Sequence, residues 1–137
     1  MGNTLSCKTV NFEDLQECIF KKDKYLIINT LSSNQQSCLI KNTSTIDKEE
    51  QIINESLQKY SEINIIIYGK NSTDSTIYNK HKQLKELGLK NIYVYSGGLF
   101  EWLLLQDIYG KDEFSTTSYT LDILRYKPSN SLSKLLL

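Results

Sequence analysis

The sequence has no alanine, and only one arginine, one histidine, one proline and one tryptophan in 137 residues. It has three cysteines, Cys7, Cys18 and Cys38. Each scarcity excludes something. Three cysteines without a C-x-x-C spacing make neither a disulfide framework nor a zinc site. With His81 as the lone imidazole, no metal and no cofactor is expected. Arg125 is the single candidate for a planar, bidentate clamp on phosphate or carboxylate. Neither sign of charge is in excess, with 16 Lys and Arg against 16 Asp and Glu. A nucleic-acid binder needs surplus cations to displace counterions, so no nucleic acid is expected as a partner. The longest apolar runs, Ile65–Tyr68 and Trp102–Leu105, fall far short of the ~20 residues that span a bilayer. The first twenty residues contain no apolar segment of a secretory signal. A reducing, cytoplasmic setting follows as the expectation. The missing alanine, beside plentiful Asn, Ile, Lys and Tyr, reads as coding bias.

What is present suffices for a folded core. Hydrophobic residues make up 39% of the chain, too many for a disordered one, and the length suits one domain. Thr9-Val10 starts a short strand. Asn11 is placed to cap a helix carrying Phe12, Leu15 and Ile19 on one face. Tyr25–Ile28 reads as an apolar strand, and Leu39-Ile40 as a short one after the polar stretch 32–37. Asp47 and Glu50 resemble a capping box, followed by Ile53, Leu57 and Tyr60 at helical spacing. Ile63–Tyr68 is continuous enough to be a strand buried on both faces of a parallel sheet. Ser75–Leu87 reads as a helix with Ile77, Leu84 and Leu87 on one stripe and Gly88 as its stop. Asn91–Tyr95 is a further strand, Gly97-Gly98 a turn, and Leu99–Gln106 a short helix. This alternation is the grammar of a three-layer α/β domain with a mainly parallel central sheet. Ligands in such sheets lie beyond the carboxyl ends of the strands. The loop Gly69-Lys70-Asn71-Ser72-Thr73-Asp74, after the most buried strand, is therefore the candidate site.

The amino terminus carries a second signal. Met1-Gly2-Asn3-Thr4-Leu5-Ser6 fits M-G-x-x-x-[ST], the N-myristoylation pattern on Gly2. A single myristoyl chain holds a membrane only marginally, so a second signal is required. Only Lys8 lies close in sequence, so no polybasic patch is expected, and palmitate on Cys7 would supply the second anchor. Three stretches result: an acylation segment over 1–8, a domain over 9–110, and an extension over 111–137. The extension either packs on the domain or is partly disordered, and the residues from 130 are expected to fray.

The ordered series Ile65-Ile66-Ile67-Tyr68, a polar loop, Gln83-Leu84-Lys85-Glu86-Leu87-Gly88, Asn91-Ile92-Tyr93-Val94-Tyr95 and Gly97-Gly98-Leu99-Phe100-Glu101-Trp102 resembles the second half of a rhodanese domain. Leu26–Thr30 resembles that family's strand ending Asp-x-Arg, and Ser37–Ile40 its Gly-His-Ile segment. The likeness spans about residues 8–110 and implies a rhodanese-like fold. The departures concern the chemistry. Where the family has a cysteine nucleophile, this chain has Gly69. The family's Asp is Asn29, its Arg falls near Leu31, and its His is Cys38. The segment from Tyr68 to Gly88 is about two residues longer than in common sulfurtransferases, and so resembles the dual-specificity phosphatases of this fold. Those enzymes also need the loop cysteine and an arginine.

Sulfur transfer passes through a cysteine persulfide, and glycine has no atom to form it. The cradle of N–H groups is able to outlive its nucleophile as an anion-tolerant nest, while Asp74 is placed to occupy those donors itself. With these departures the resemblance implies a catalytically silent module that binds a protein partner, held at the cytoplasmic face of a membrane by its acylated terminus. The alternative is a sulfurtransferase or phosphatase-like enzyme using a displaced cysteine such as Cys38. The plainer readings are a packed Cys38 beside Leu39-Ile40, a packed Cys18, and a hydrogen-bonded, partly buried His81. Phe100 and Trp102 read as core anchors, and Arg125 as the partner of Asp122.

Overall fold

The computed structural model describes residues 7–59 and 62–132. Gly2, Tyr60 and residues 133–137 lie outside the described residues. Five strands form one parallel sheet: β1 (Lys8–Val10), β2 (Tyr25–Asn29), β3 (Thr43–Ser44), β4 (Asn64–Tyr68) and β5 (Asn91–Tyr95), in the order β1-β5-β4-β2-β3. Four helices flank it: α1 (Phe12–Ile19), α2 (Ile46–Lys59), α3 (Thr76–Glu86) and α4 (Gly98–Tyr109). The three-layer α/β architecture is the one the alternation implies.

The central strand shows why. Side chains alternate across a strand, so Ile65 and Ile67 face one layer while Ile66 and Tyr68 face the other. The first pair packs with Ile53 of α2 and with Ile77 and Leu84 of α3. The second packs with Leu15 of α1 and with Leu99, Trp102 and Leu103 of α4. All four strand residues are fully buried. Each such isoleucine contributes roughly 1.5–3 kcal/mol by leaving water. Asn11 starts α1 as its pattern implies. Its side chain accepts from the Asp14 N–H at 3.0 Å, and the Asp14 carboxylate accepts from the Asn11 N–H at 3.0 Å.

Several local expectations change. Leu39-Ile40 does not enter the sheet. The Tyr68 hydroxyl accepts from the Ile40 N–H at 3.0 Å and pairs with Thr43 Oγ1 at 2.9 Å. The chain turns there, with Asn42 at φ +67°, and reaches the sheet only at Thr43. Residues 39–41 instead bond outward to 115–117, through Thr117 N–H to the Leu39 carbonyl at 2.8 Å and Lys41 N–H to the Ser115 carbonyl at 3.1 Å. Helix α2 begins at Ile46, which places Asp47 inside its first turn instead of at a cap. Leu87 is half exposed, and Leu89 is buried instead. After α3 the chain reverses at Gly88, and the Leu89 N–H returns to the Leu84 carbonyl at 3.2 Å. Helix α4 runs three residues past Gln106. Of its leucine run, Leu103 is buried and Leu104 is largely exposed.

The stretch from Lys111 to Tyr126 shares the core. Phe114 meets Trp102 edge-on and Phe12 at a tilt, at centroid distances of 5.0 and 5.7 Å. Gln106 Nε2 donates to the Phe114 carbonyl at 2.7 Å, and Gln16 Nε2 to the Glu113 carbonyl at 2.8 Å. A short helical turn over Ile123–Tyr126 ends on the buried Tyr126 ring. Arg125 makes no ion pair with Asp122 among the described residues. Its guanidinium lies 5.4 Å from the Tyr126 ring centroid, and its N–H reaches the Asp122 carbonyl.

One ion pair bridges two helices. Lys80 Nζ of α3 lies 2.7 Å from Glu49 Oε2 of α2, with both side chains mostly shielded. The other oxygen, Glu49 Oε1, is buried without a partner among the described residues. Lys80→Met therefore leaves a buried carboxylate unpaired and is expected to lower stability by about 1–3 kcal/mol in urea denaturation. Replacing both residues by methionine should recover most of that loss. A neutral single variant would contradict the pairing.

Candidate functional site

Strand β4 delivers Tyr68 to the carboxyl end of the sheet, and the chain crosses residues 69–75 into α3. Asp74 occupies the centre of this loop. Its Oδ2 accepts from the Lys70 N–H at 2.8 Å. Its Oδ1 accepts from the Thr76 N–H at 3.0 Å and from Thr76 Oγ1. Thr76 Oγ1 in turn accepts from Thr30 Oγ1, 2.8 Å away, because its own proton is given to Asp74. The carboxylate thus takes the position at the helix start that an anionic ligand would take.

Gly69 is the counterpart of this arrangement. A Cβ built on it would sit 2.9 Å from Asp74 Cγ and 2.9 Å from Thr30 Oγ1, and closer still to Asp74 Oδ2. The space of a side chain at position 69 is filled by Asp74. Three further donors bond within the loop. The Thr73 N–H and Oγ1 donate to Asn71 Oδ1 at 3.1 and 2.9 Å, and the Asp74 N–H to the Asn71 carbonyl at 3.2 Å. Asn71 is buried, and its Nδ2 donates to the Tyr126 carbonyl at 2.9 Å, which ties the C-terminal segment across the loop. Lys70 is half-buried, while Ser72 and Thr73 face solvent.

The first turn of α4 closes the loop from the other side. The Leu99 and Phe100 N–H groups donate to the Gly69 and Lys70 carbonyls, each at 2.9 Å. Gly98, at φ +71°, permits this approach, because a Cβ there would lie 2.7 Å from the Asn71 nitrogen. Beside the loop is an open groove of about 620 Å³, whose walls include Asn11, Asp14, Ser72 and Glu101. The Tyr95 hydroxyl donates to Glu101 Oε2, and burial together with that carboxylate raises its pKa. The groove's walls carry no thiol, imidazole or guanidinium.

The other candidate residues lie elsewhere. Cys38 is 3% exposed, packed in the core, with Sγ donating to the Ser118 carbonyl at 3.4 Å. Burial pushes its thiol pKa up. Cys18 is likewise buried, and burial, aided by Asp14 and Glu17, pushes its thiol up to about 11. Cys7 is half-buried against the α3 side of the sheet; burial raises its pKa and Lys85 opposes the rise. His81 is buried on the α3 stripe, where burial and then Lys85 lower its pKa. It makes no hydrogen bond among the described residues, contrary to the expectation for it.

Asn29 is fully buried in a network that residue types alone did not reveal. Its Oδ1 accepts from the Leu31 N–H at 3.0 Å and from Gln36 Nε2 at 2.8 Å, and its Nδ2 donates to the Ser44 carbonyl at 3.1 Å. Leu31 is buried in the core, so no cation stands at that position. Thr30, Thr76 and Gln36 were not candidates from sequence. Among the described residues no three His, Cys, Asp or Glu side chains converge as metal ligands. No helix among them is long and apolar enough to cross a membrane.

A five-stranded parallel sheet with paired helices on each face, and a backbone-lined loop opening from its central strand, defines a class of α/β domains built around that loop. The rhodanese-like domain family matches residues 12–105, and the chain belongs to that family. Solved structures with the same fold include the thiosulfate sulfurtransferase from Pseudomonas aeruginosa. It is 12% identical at a TM-score of 0.57, over 72% of this chain but only 19% of that one. The Alr3790 protein from Anabaena sp. is 16% identical at a TM-score of 0.58, over 92% of this chain and 88% of that one. Ygr203w, a yeast protein tyrosine phosphatase of the rhodanese family, is 18% identical at a TM-score of 0.58, over 85% of this chain and 96% of that one. No curated protein matches the sequence.

Proposed function

We propose that the chain is a non-catalytic rhodanese-like binding or regulatory module, tethered to the cytoplasmic face of a membrane by acylation at Gly2, with Cys7 as candidate for a second acyl chain. The observation that carries the non-catalytic part is the Asp74 carboxylate seated where a side chain of residue 69 would project. Position 69 lacks a nucleophile, and two N–H groups of the cradle, those of Lys70 and Thr76, are held by the protein's own carboxylate instead of a persulfide or phosphate anion. Cys38 does not favour the enzymatic alternative. It is buried, its pKa is raised, and a thiol must ionise to attack. The tether rests on the Gly2 pattern. The exposure of Ser72 and Thr73 on a constrained loop supports a protein partner.

Thiosulfate:cyanide turnover tests the first part and is expected at the level of a protein-free blank. Turnover above it that disappears in Cys38→Ser would overturn the reading. Membrane fractionation of wild type beside Gly2→Ala tests the second. Equal membrane association of the two would dismiss the lipid anchor.

A further inference from the structure

The turns that lead into the strands collect at the end of the sheet opposite the loop. Tyr25, Asn64 and Asn91 start their strands in register, and Lys8 begins β1 beside Tyr93. The turns are joined there, by the Asn64 N–H to the Lys24 carbonyl at 3.3 Å and by Asn91 Nδ2 to the Glu62 carbonyl at 3.1 Å. Cys7, the first described residue, precedes β1 at this end. Lysines distant in sequence meet on it. Lys22 and Lys24 come from the α1–β2 turn, Lys85 and Lys90 from the end of α3 and the turn to β5, and Lys8 from β1; all are exposed. Against these five stand three exposed acids, Asp23, Glu62 and Glu86.

Lysines at helix carboxyl ends complement the helix dipoles, and that alone would explain part of the pattern. It does not explain the two large apolar side chains among them. Phe20, just past α1, is 84% exposed, and Leu87, just past α3, is 50% exposed. Neither gains anything from a helix dipole, and both cost solubility. Exposed apolar side chains framed by lysines are the composition of a surface that rests on anionic lipid.

We infer that this amino-terminal end of the sheet is a membrane-apposed face, recognising an anionic phospholipid surface through Lys8, Lys22, Lys24 and Lys90 with Phe20 and Leu87 entering the headgroup layer. The inference rests on the tether proposed above and deepens it. An acyl chain plus a basic patch is a sufficient pair of anchoring signals, so the fold itself supplies the second signal that the sequence near Gly2 lacks. The geometry also sets an orientation. With the strand starts on the membrane, the loop from Gly69 to Asp74 points away from it, toward soluble partners.

The test is sedimentation of the full chain, with and without myristate on Gly2, on phosphatidylcholine vesicles and on vesicles with a third of the lipid replaced by phosphatidylserine. The myristoylated chain should partition roughly tenfold more strongly onto the anionic vesicles at low salt, and high salt should remove the difference. A Lys22→Gln, Lys24→Gln, Lys90→Gln variant should lose that preference while keeping its binding to neutral vesicles. Phe20→Ser should weaken binding to both. Circular dichroism of these surface variants checks that they fold. Equal partition of the myristoylated wild type onto neutral and anionic vesicles, or a preference that survives the lysine variant, would overturn the face. Failure of the tether reads out separately, as no acyl label on wild type in a eukaryotic host.

Discussion

Trp102→Ala is expected to lower the unfolding free energy by roughly 3–5 kcal/mol, a large share of the ~5–15 kcal/mol that holds a domain together. Trp102 is fully buried. Its ring stands edge-on to Tyr95 of the sheet at 6.2 Å and to Phe114 of the C-terminal segment at 5.0 Å. Its Nε1 donates to the Ser115 carbonyl at 3.0 Å. One side chain therefore joins β5, α4 and the segment after Gly110. Truncating it opens a cavity at that junction and removes one of the two donors to the Ser115 carbonyl, leaving the Lys41 N–H. Trp102→Phe keeps a ring there and should cost much less. Urea denaturation followed by far-ultraviolet circular dichroism reads both, because it does not need the lost indole. A loss below about 1.5 kcal/mol for the alanine variant would mean that the site collapses freely and that the C-terminal segment is not fixed to the core.

The second large effect concerns the loop. Gly69→Cys places a cysteine at the position that the proposed function reads as the family nucleophile's, yet it is expected to yield an unreactive thiol. The new side chain meets the Asp74 carboxylate and Thr30 Oγ1. Asp74 must shift away from the Lys70 and Thr76 N–H groups it now satisfies. A thiolate beside a carboxylate is disfavoured, so the pKa at position 69 should stay at or above the ordinary ~8.5. Gly69→Cys with Asp74→Ala removes the negative charge and frees the donors. Each unit by which the thiol pKa then falls gives about tenfold more thiolate near neutral pH. Alkylation by iodoacetamide at pH 7, followed by peptide mass at residue 69, should run roughly tenfold faster in the double variant. Equal rates would show that Asp74 is not what fills the cradle.

The fold was legible where one physical rule dominated. Ile65-Ile66-Ile67-Tyr68 has no polar residue to point at solvent, so only a strand covered on both faces accommodates it. Asn11 and Asp14 satisfy each other's backbone at the start of α1, a pattern visible in four residues. Leu39-Ile40 was misplaced because a hydroxyl 28 positions later, on Tyr68, captures the Ile40 N–H. No local pattern reports such a bond. The segment after Gly110 is too polar to suggest a core element, and its burial depends on two spaced aromatics, Phe114, which meets Trp102, and Tyr126. At the loop, the absence of a thiol is read directly from Gly69-Lys70-Asn71-Ser72-Thr73-Asp74, and Asp74 was identifiable as a residue able to take loop donors. The role of Asn71 in tying Tyr126 across the loop was not legible, because it joins residues 55 positions apart. The lysine face was hidden for the same reason. Its members come from two turns and the start of β1, which only the sheet register brings together.

The central claim is that the rhodanese loop of this chain is occupied by its own Asp74 and carries out no sulfur chemistry. Intact-mass analysis after incubation of the wild-type chain with thiosulfate tests it most directly. The account predicts an unchanged mass, with no persulfide on Cys7, Cys18 or Cys38. A stoichiometric gain of one sulfur atom, released by cyanide and absent from Cys38→Ser, would contradict it.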